Sequence, residues 1–103
     1  MMSTKPPIEV PDEVIESFCR KWKIGELALF GSVLREDFRS DSDIDVLATF
    51  TPDAKWSLFD HARMREELSS LLGREADVVE TTGLRNPFRR HEILATRRVI
   101  YAA

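Results

Sequence analysis

Short apolar runs alternate along this chain with longer stretches that have helical features. The apolar runs have the length and composition of buried β-strands, and they cover residues 27–30, 44–50 and 76–81, with a shorter candidate at 99–101. The helical stretches carry an apolar stripe or a helix start signal, and they cover residues 11–25, 57–72 and 86–94. Strands that alternate with helices predict one α/β (α+β) domain.

The length and composition of the chain limit its class. With 103 residues it has the size of one small domain, so we expect a loose lead-in over residues 1–10 and a single domain over 11–103. No apolar run is long enough to span a bilayer and no signal peptide is visible, which predicts a cytoplasmic protein. A single cysteine, Cys19, excludes an internal disulfide and a cysteine-based zinc site; its place on an apolar stripe predicts a core thiol.

Charge is unevenly distributed along the chain. The net charge of −3 argues against a general nucleic-acid coat protein. Residues 35–45 contain five acids and two arginines, whereas the stretch from residue 84 to the end contains one acid and five arginines: Arg85, Arg89, Arg90, Arg97 and Arg98. We expect a bound cation near the acidic segment. The basic end is either a solvated surface, a contact for an acidic partner or a phosphate contact.

The segment between the first two predicted strands carries the chemistry. Gly31 and Ser32 follow the first strand; a glycine lets a phosphate approach the backbone, and the serine adds a hydroxyl. Ten residues later come Asp43 and Asp45, which alternation places on one face of the next strand. Paired carboxylates need a cation, and oxygen-only ligands favour Mg²⁺ or Mn²⁺. A phosphate-binding turn beside such a pair predicts nucleotidyl transfer.

Other interpretations of the acidic segment are weaker. A calcium-binding EF-hand loop requires Gly and Glu where this chain has Val46 and Pro52. The two aspartates could also be the solvated start of a strand, which is the usual explanation of a lone Asp-x-Asp. The combination of a strand ending in Gly-Ser, ten residues and then Asp-x-Asp is much rarer than the lone motif. Ser42 is placed with Gly31, Ser32 and Arg35 in the nucleotide-binding set, where it either hydrogen-bonds a carboxylate or starts the strand. Arg35 either holds a triphosphate oxygen or pairs with a nearby aspartate, and we favour the phosphate.

Aromatic and histidine residues outside this segment are expected to be structural. His61 lies near the apolar stripe of the second helix, where a packed or partly exposed side chain is expected, and His91 lacks any spacing that pairs it with the acids. Trp22 falls on the core stripe of the first helix. Trp56 precedes the second helix and either packs as a hydrophobic staple, which we favour, or lies over a base.

The chain has a pattern in which Gly31-Ser32 is followed, after ten residues, by Asp43-x-Asp45. This pattern resembles the signature of the minimal nucleotidyltransferases, within the DNA polymerase β-like superfamily. The resemblance covers nearly the whole chain. It implies the nucleotidyltransferase fold, a small mixed sheet of three to four strands flanked by helices. It also implies a third carboxylate on the following strand, here Asp77. With Asp43 and Asp45 this residue would form the catalytic and metal-binding set. The resemblance implies two Mg²⁺ ions there, with Mn²⁺ as an alternative, and ATP as the substrate.

Small members of this family are similar to the antitoxins of HEPN/MNT toxin–antitoxin pairs. The resemblance implies a protein adenylyltransferase that transfers AMP to a tyrosine hydroxyl of a cognate HEPN ribonuclease toxin in a type VII system. Two alternatives stay open: an antitoxin that occludes its toxin without chemistry, and an enzyme for a small-molecule acceptor. We expect a complex with the toxin, no membrane contact and no direct nucleic-acid binding.

Overall fold

The computed structural model describes residues 10–31 and 43–103, in which strands and helices alternate. In chain order the elements are α1 (Asp12–Lys21), β1 (Ile24–Phe30), β2 (Ile44–Phe50), α2 (Leu58–Leu72), β3 (Ala76–Glu80), a 3₁₀ turn (Thr81–Gly83), α3 (Pro87–Thr96) and β4 (Arg98–Ala102). The predicted α/β class is confirmed, and the candidate strand near the end of the chain forms. The lead-in predicted over residues 1–10 lies outside the described residues except for its last residue.

The four strands of the described residues form one mixed sheet in the order β3-β2-β1-β4. β1 pairs antiparallel with both β2 and β4, whereas β2 and β3 run parallel and are joined by the crossover through α2. The starts of β2, β3 and β4 and the end of β1 therefore lie at one end of the sheet. We call this the acid end, because Asp43, Asp45 and Asp77 lie there.

Helices cover both faces of the sheet, and strand alternation divides the core between them. On one face α1 and α2 bury Phe18, Met64 and Leu68 against Val46 and neighbouring strand residues. On the other face α3 packs through Ile93, together with Leu84, against Ala28, Phe30 and Leu47. In the described part of the chain no helix is long and apolar enough to cross a membrane.

Cys19 is fully buried in the core between α1 and the sheet. Burial raises the pKa of its thiol to about 12, because the thiolate would lose its hydration there. The predicted core thiol is confirmed, and at neutral pH the group is inert.

The predicted end of the first helix at Gly25 is wrong. α1 ends at Lys21, Lys23 takes a positive φ of 55°, and β1 has already begun at Ile24. The reason is tertiary: Ile24 is 2% exposed and pairs with Phe50 of β2, so burial draws these residues into the sheet. The strand predicted over 27–30 is correspondingly longer.

The ends of α2 form as its sequence predicts. Ser57 accepts a hydrogen bond from the Asp60 backbone N–H, and the Asp60 carboxylate accepts one from the Ser57 backbone N–H, which completes a capping box. Gly73 closes the helix with a left-handed φ of 70°.

The two tryptophans join α1 to the start of α2. Their rings meet edge to face with centroids 5.1 Å apart, and the Trp56 indole N–H donates to the Trp22 carbonyl at 2.9 Å. The Trp22 indole in turn donates to Glu67 at 3.0 Å. These contacts confirm packing for both residues, but the partner they give Trp56 is Trp22, so the staple within α2 stays a prediction.

Candidate active site

Gly31 and Asp45 approach each other closely at the acid end. The antiparallel pairing places Phe30 opposite Asp45, and Gly31 follows with a positive φ of 73°. A Cβ atom built on Gly31 would lie 2.5 Å from the Asp45 Oδ2 atom. Only glycine fits here, because both the backbone conformation and the neighbouring carboxylate exclude a side chain.

Asp45 and Asp77 are neighbours across the parallel pairing of β2 and β3. They are direct register partners, and neighbouring strands lie about 4.8 Å apart. Leu47 and Val79, two residues further along the two strands, pack in the cluster beneath α3, so both aspartates lie on the face that α3 covers. Asp45 is half-buried and Asp77 is exposed. The sheet thus brings together two carboxylates that are far apart in the sequence.

Asp43 is exposed and immediately precedes β2. Within residues 10–31 and 43–103, no three acidic, histidine or cysteine side chains come close enough to hold a metal ion by themselves. The donor chemistry still suits Mg²⁺, which proteins commonly bind through one or two carboxylates together with substrate phosphates. Asp45 and Asp77, as register partners, supply two such carboxylates, and Asp43 lies at the same end of the sheet.

The remaining predicted nucleotide-binding residues, Ser32, Arg35 and Ser42, lie outside the described residues. Their roles stay predictions.

An ion pair that the sequence reasoning missed ties the end of α3 to the central sheet. The Arg97 Nε donates to Glu26 Oε2 at 3.0 Å, and the same guanidinium also donates to the Leu94 carbonyl. Both side chains are more than two-thirds buried. The available signal was a lone acid inside an apolar strand, which calls for a cationic partner. The pair fixes α3 and the start of β4 against the face that carries the aspartates.

His61 lies away from this site. Its Nδ1 atom is 3.8 Å from Glu80, at the end of β3 opposite the acid end, and its side chain is 30% exposed. The partly exposed side chain predicted for His61 is confirmed.

Residues 11–100 match the protein family described as a nucleotidyltransferase domain. The chain belongs to the nucleotidyltransferase family. This nucleotidyltransferase is 30% identical, over 71% of its length and 73% of the relative's, to a protein of Methanocaldococcus jannaschii named as a candidate protein adenylyltransferase. It is also 30% identical to the protein adenylyltransferase MntA of Thermococcus cleftensis, over 79% of this chain and 77% of that one.

Solved structures agree with this assignment. A candidate minimal nucleotidyltransferase, 36% identical, superposes with a TM-score of 0.65 over 84% of this chain and 85% of the other. A toxin–antitoxin complex with AMP-PNP reaches a TM-score of 0.70 at 17% identity, covering 91% of this nucleotidyltransferase and 75% of that chain. At that identity the second likeness shows the fold alone. The fold and the enzyme class predicted from the sequence are confirmed.

Proposed function

We propose that this nucleotidyltransferase is a Mg²⁺-dependent protein adenylyltransferase that transfers AMP from ATP to a tyrosine hydroxyl of a cognate HEPN toxin, and so acts as its antitoxin. The observation that carries the proposal is the placement of Asp45 against Gly31 and in register with Asp77. The relatives support the choice of acceptor, because they include a protein adenylyltransferase MntA, and solved structures of similar fold include MntA–HepT toxin–antitoxin complexes.

In this proposal the acid end positions the triphosphate and the acceptor. The open backbone at Gly31, with Ser32 and Arg35, holds the phosphates, and Ser42 supports the aspartates that follow it. Asp43, Asp45 and Asp77 would hold Mg²⁺, which supplies charge neutralisation of the triphosphate and of the leaving pyrophosphate when bound. Carboxylates held by two strands and a tight glycine contact need little reorganisation during the reaction.

ATP and the acceptor tyrosine account for every bond that forms and breaks in the transfer. The tyrosine oxygen forms a bond to the α-phosphorus of ATP, the bond from that phosphorus to the oxygen bridging to the β-phosphate breaks, and pyrophosphate leaves. The hydroxyl proton passes to a carboxylate, for which we propose Asp77. Its exposure leaves it accessible to an acceptor from outside the chain.

The test is the intact mass of the cognate HEPN-domain protein, for which the product of the neighbouring gene is the candidate, after incubation with the nucleotidyltransferase, ATP and Mg²⁺. We expect the mass to rise by one or more AMP units located on tyrosine, and the gain to disappear with EDTA. Asp45→Asn and Asp77→Asn should abolish transfer, whereas the matched control Asp12→Asn, an exposed aspartate in the first turn of α1, should keep it.

Two outcomes would contradict the proposal. Full activity in Asp45→Asn would show that the site is assigned to the wrong residues. An unchanged mass in a tight complex, with protection of cells from the toxin retained by the aspartate variants, would instead establish an antitoxin that acts by non-covalent occlusion.

A further inference from the structure

The first half of α3 is exposed to solvent. Every residue from 85 to 92 is exposed, and in the described part of the chain the apolar contacts of the helix with the core come further along, from Ile93 and Leu94. Short helices are marginally stable on their own and depend on packing against the rest of the protein. α3 has ten residues, and more than half of them are exposed, so little of the helix is stabilised by packing. We call residues Arg85, Phe88, Arg89 and Arg90 the basic ridge.

Among the described residues, the arginines of the basic ridge form no ion pair with a carboxylate. Within the described ranges, neither Arg85 nor Arg89 has a carboxylate within ion-pair distance, and the Arg90 guanidinium donates to the Thr81 carbonyl instead. The first turn of α3 contains no acid. Cations beside a helix N-terminus oppose the helix dipole, so the ridge destabilises its own helix slightly. The arrangement is understandable if an external acidic group meets it.

Phe88 lies within the ridge with 86% of its surface exposed. Arginine and aromatic side chains are the residue types most enriched at the centres of protein–protein interfaces. Nucleic acid is a poorer fit, because the ridge is short and the chain has a net charge of −3.

The ridge lies on the same face of the sheet as Asp45 and Asp77. Arg90 contacts Thr81, four residues beyond Asp77, which corresponds to about 13 Å along an extended strand. A typical protein interface covers about 800 Å² on each partner, a disc of about 16 Å radius. A protein whose hydroxyl reaches Asp77 is therefore large enough to extend to the part of the ridge at Arg90.

We propose that the basic ridge docks an acidic surface of the protein acceptor and holds it while its hydroxyl lies at the aspartates. This inference rests on the proposed function, since the acceptor is a protein only if that proposal holds. It assigns α3 a role in recognition that is separate from the phosphate contacts expected of the acid end.

The experiment measures binding and transfer separately for the double variant Arg85→Glu/Arg89→Glu. The probe is the same candidate HEPN-domain protein that is used to test the proposed function. We expect its affinity and its KM at low salt to worsen at least about tenfold, because steering between opposite charges is lost, with kcat at saturation unchanged. Phe88→Ala should weaken binding at high salt as well, since an apolar contact is not screened.

The matched control is Lys55→Glu/Arg63→Glu, which makes the same charge change at two exposed residues outside α3 and should leave affinity unchanged. Misfolding is a testable alternative: acids near the start of α3 favour its dipole, so the ridge variant should unfold at the same temperature as the wild type or higher. Weaker binding together with undiminished stability is the expected signature.

Each remaining outcome decides between the two proposals. Transfer by the wild type with equal affinity in the ridge variant overturns the ridge and leaves the adenylyltransferase proposal intact. Ridge-dependent binding without any transfer keeps the ridge as a binding surface for the HEPN-domain protein, but refutes the chemistry and with it the role of the ridge in holding an acceptor. If the ridge variant loses affinity for a single-stranded RNA probe but keeps its affinity for the HEPN-domain protein, the ridge is a nucleic-acid surface and this inference is wrong.

Discussion

Replacing Gly31 by alanine would place a methyl group against the Asp45 carboxylate. The new carbon would lie 2.5 Å from Oδ2, whereas ordinary contacts begin at 3.4 Å, so the two groups must move apart by about 0.9 Å. A displacement of about 1 Å in a reacting group is enough to lower the rate about 100-fold. We therefore expect Gly31→Ala to lose about two orders of magnitude in AMP transfer.

The stability change should be much smaller than the loss of rate. An alanine at positive φ is strained by about 1–2 kcal/mol, partly offset by about 0.4–1 kcal/mol because the unfolded chain has less freedom. Moving the Asp45 side chain off its preferred rotamer adds about 0.5–1.5 kcal/mol. At about 4–8 °C per kcal/mol for a domain of this size, the total is a drop of roughly 10 °C in Tm.

Gly73 supplies the matched control for this experiment. Its φ of 70° is almost the same as that of Gly31, yet a Cβ there meets nothing within 4 Å. Gly73→Ala should share the backbone strain and keep its activity. Asp45→Ala in the Gly31→Ala background should recover the excess loss of stability. Equal losses in the two glycine variants, or no coupling with Asp45, would refute the steric argument.

Two further predictions concern stability. Ser57→Ala removes half of the capping box and should lower the free energy of unfolding by about 1 kcal/mol. A thermal melt should show this as a drop of about 4–8 °C in Tm. An unchanged Tm would mean that the cap does not stabilise the protein. Burial raises the pKa of Glu67, but hydrogen bonds from Lys21 and Trp22 outweigh it and hold the pKa below its ordinary 4.5. Its contribution is therefore present at neutral pH and lost as the pH falls below about 4.5. Glu67→Gln should lower stability at pH 7 and make the acid-side decline of urea-unfolding free energy shallower; an identical decline would contradict this.

The sequence predicted the features that depend on local chemistry. The capping serine, the glycine after α2 and Asn86 before α3 act within a few residues, so their types indicate where helices begin and end. The failure at Gly25 has the opposite cause. A glycine after a helical stretch predicts a stop, but pairing of β1 with a strand 26 residues further on had already begun at Ile24.

The candidate site could be predicted in its residue types but not in its register. Spacing indicated that Asp43 and Asp45 lie together, whereas the match of Asp45 with Asp77 depends on a parallel pairing that no local pattern specifies. The second role of Gly31 was also hidden. From the sequence, a phosphate contact was a sufficient reason for a glycine at this position. Only the antiparallel pairing of β1 and β2 shows that the Asp45 carboxylate lies where a side chain of residue 31 would be. The ion pair between Glu26 and Arg97 joins residues 71 positions apart.

The two ends of the sheet carry different parts of the protein because of the direction in which the strands run. The aspartates lie where β2 and β3 begin, and the connections over residues 51–57 and 81–86 leave from the opposite ends of the same strands. Insertions and substitutions in these connections can therefore accumulate without moving a carboxylate. A scaffold of this kind can acquire new molecular targets by drift at one end while its chemistry stays constant at the other, so that a duplicated gene could diverge in what it recognises long before it diverges in what it does.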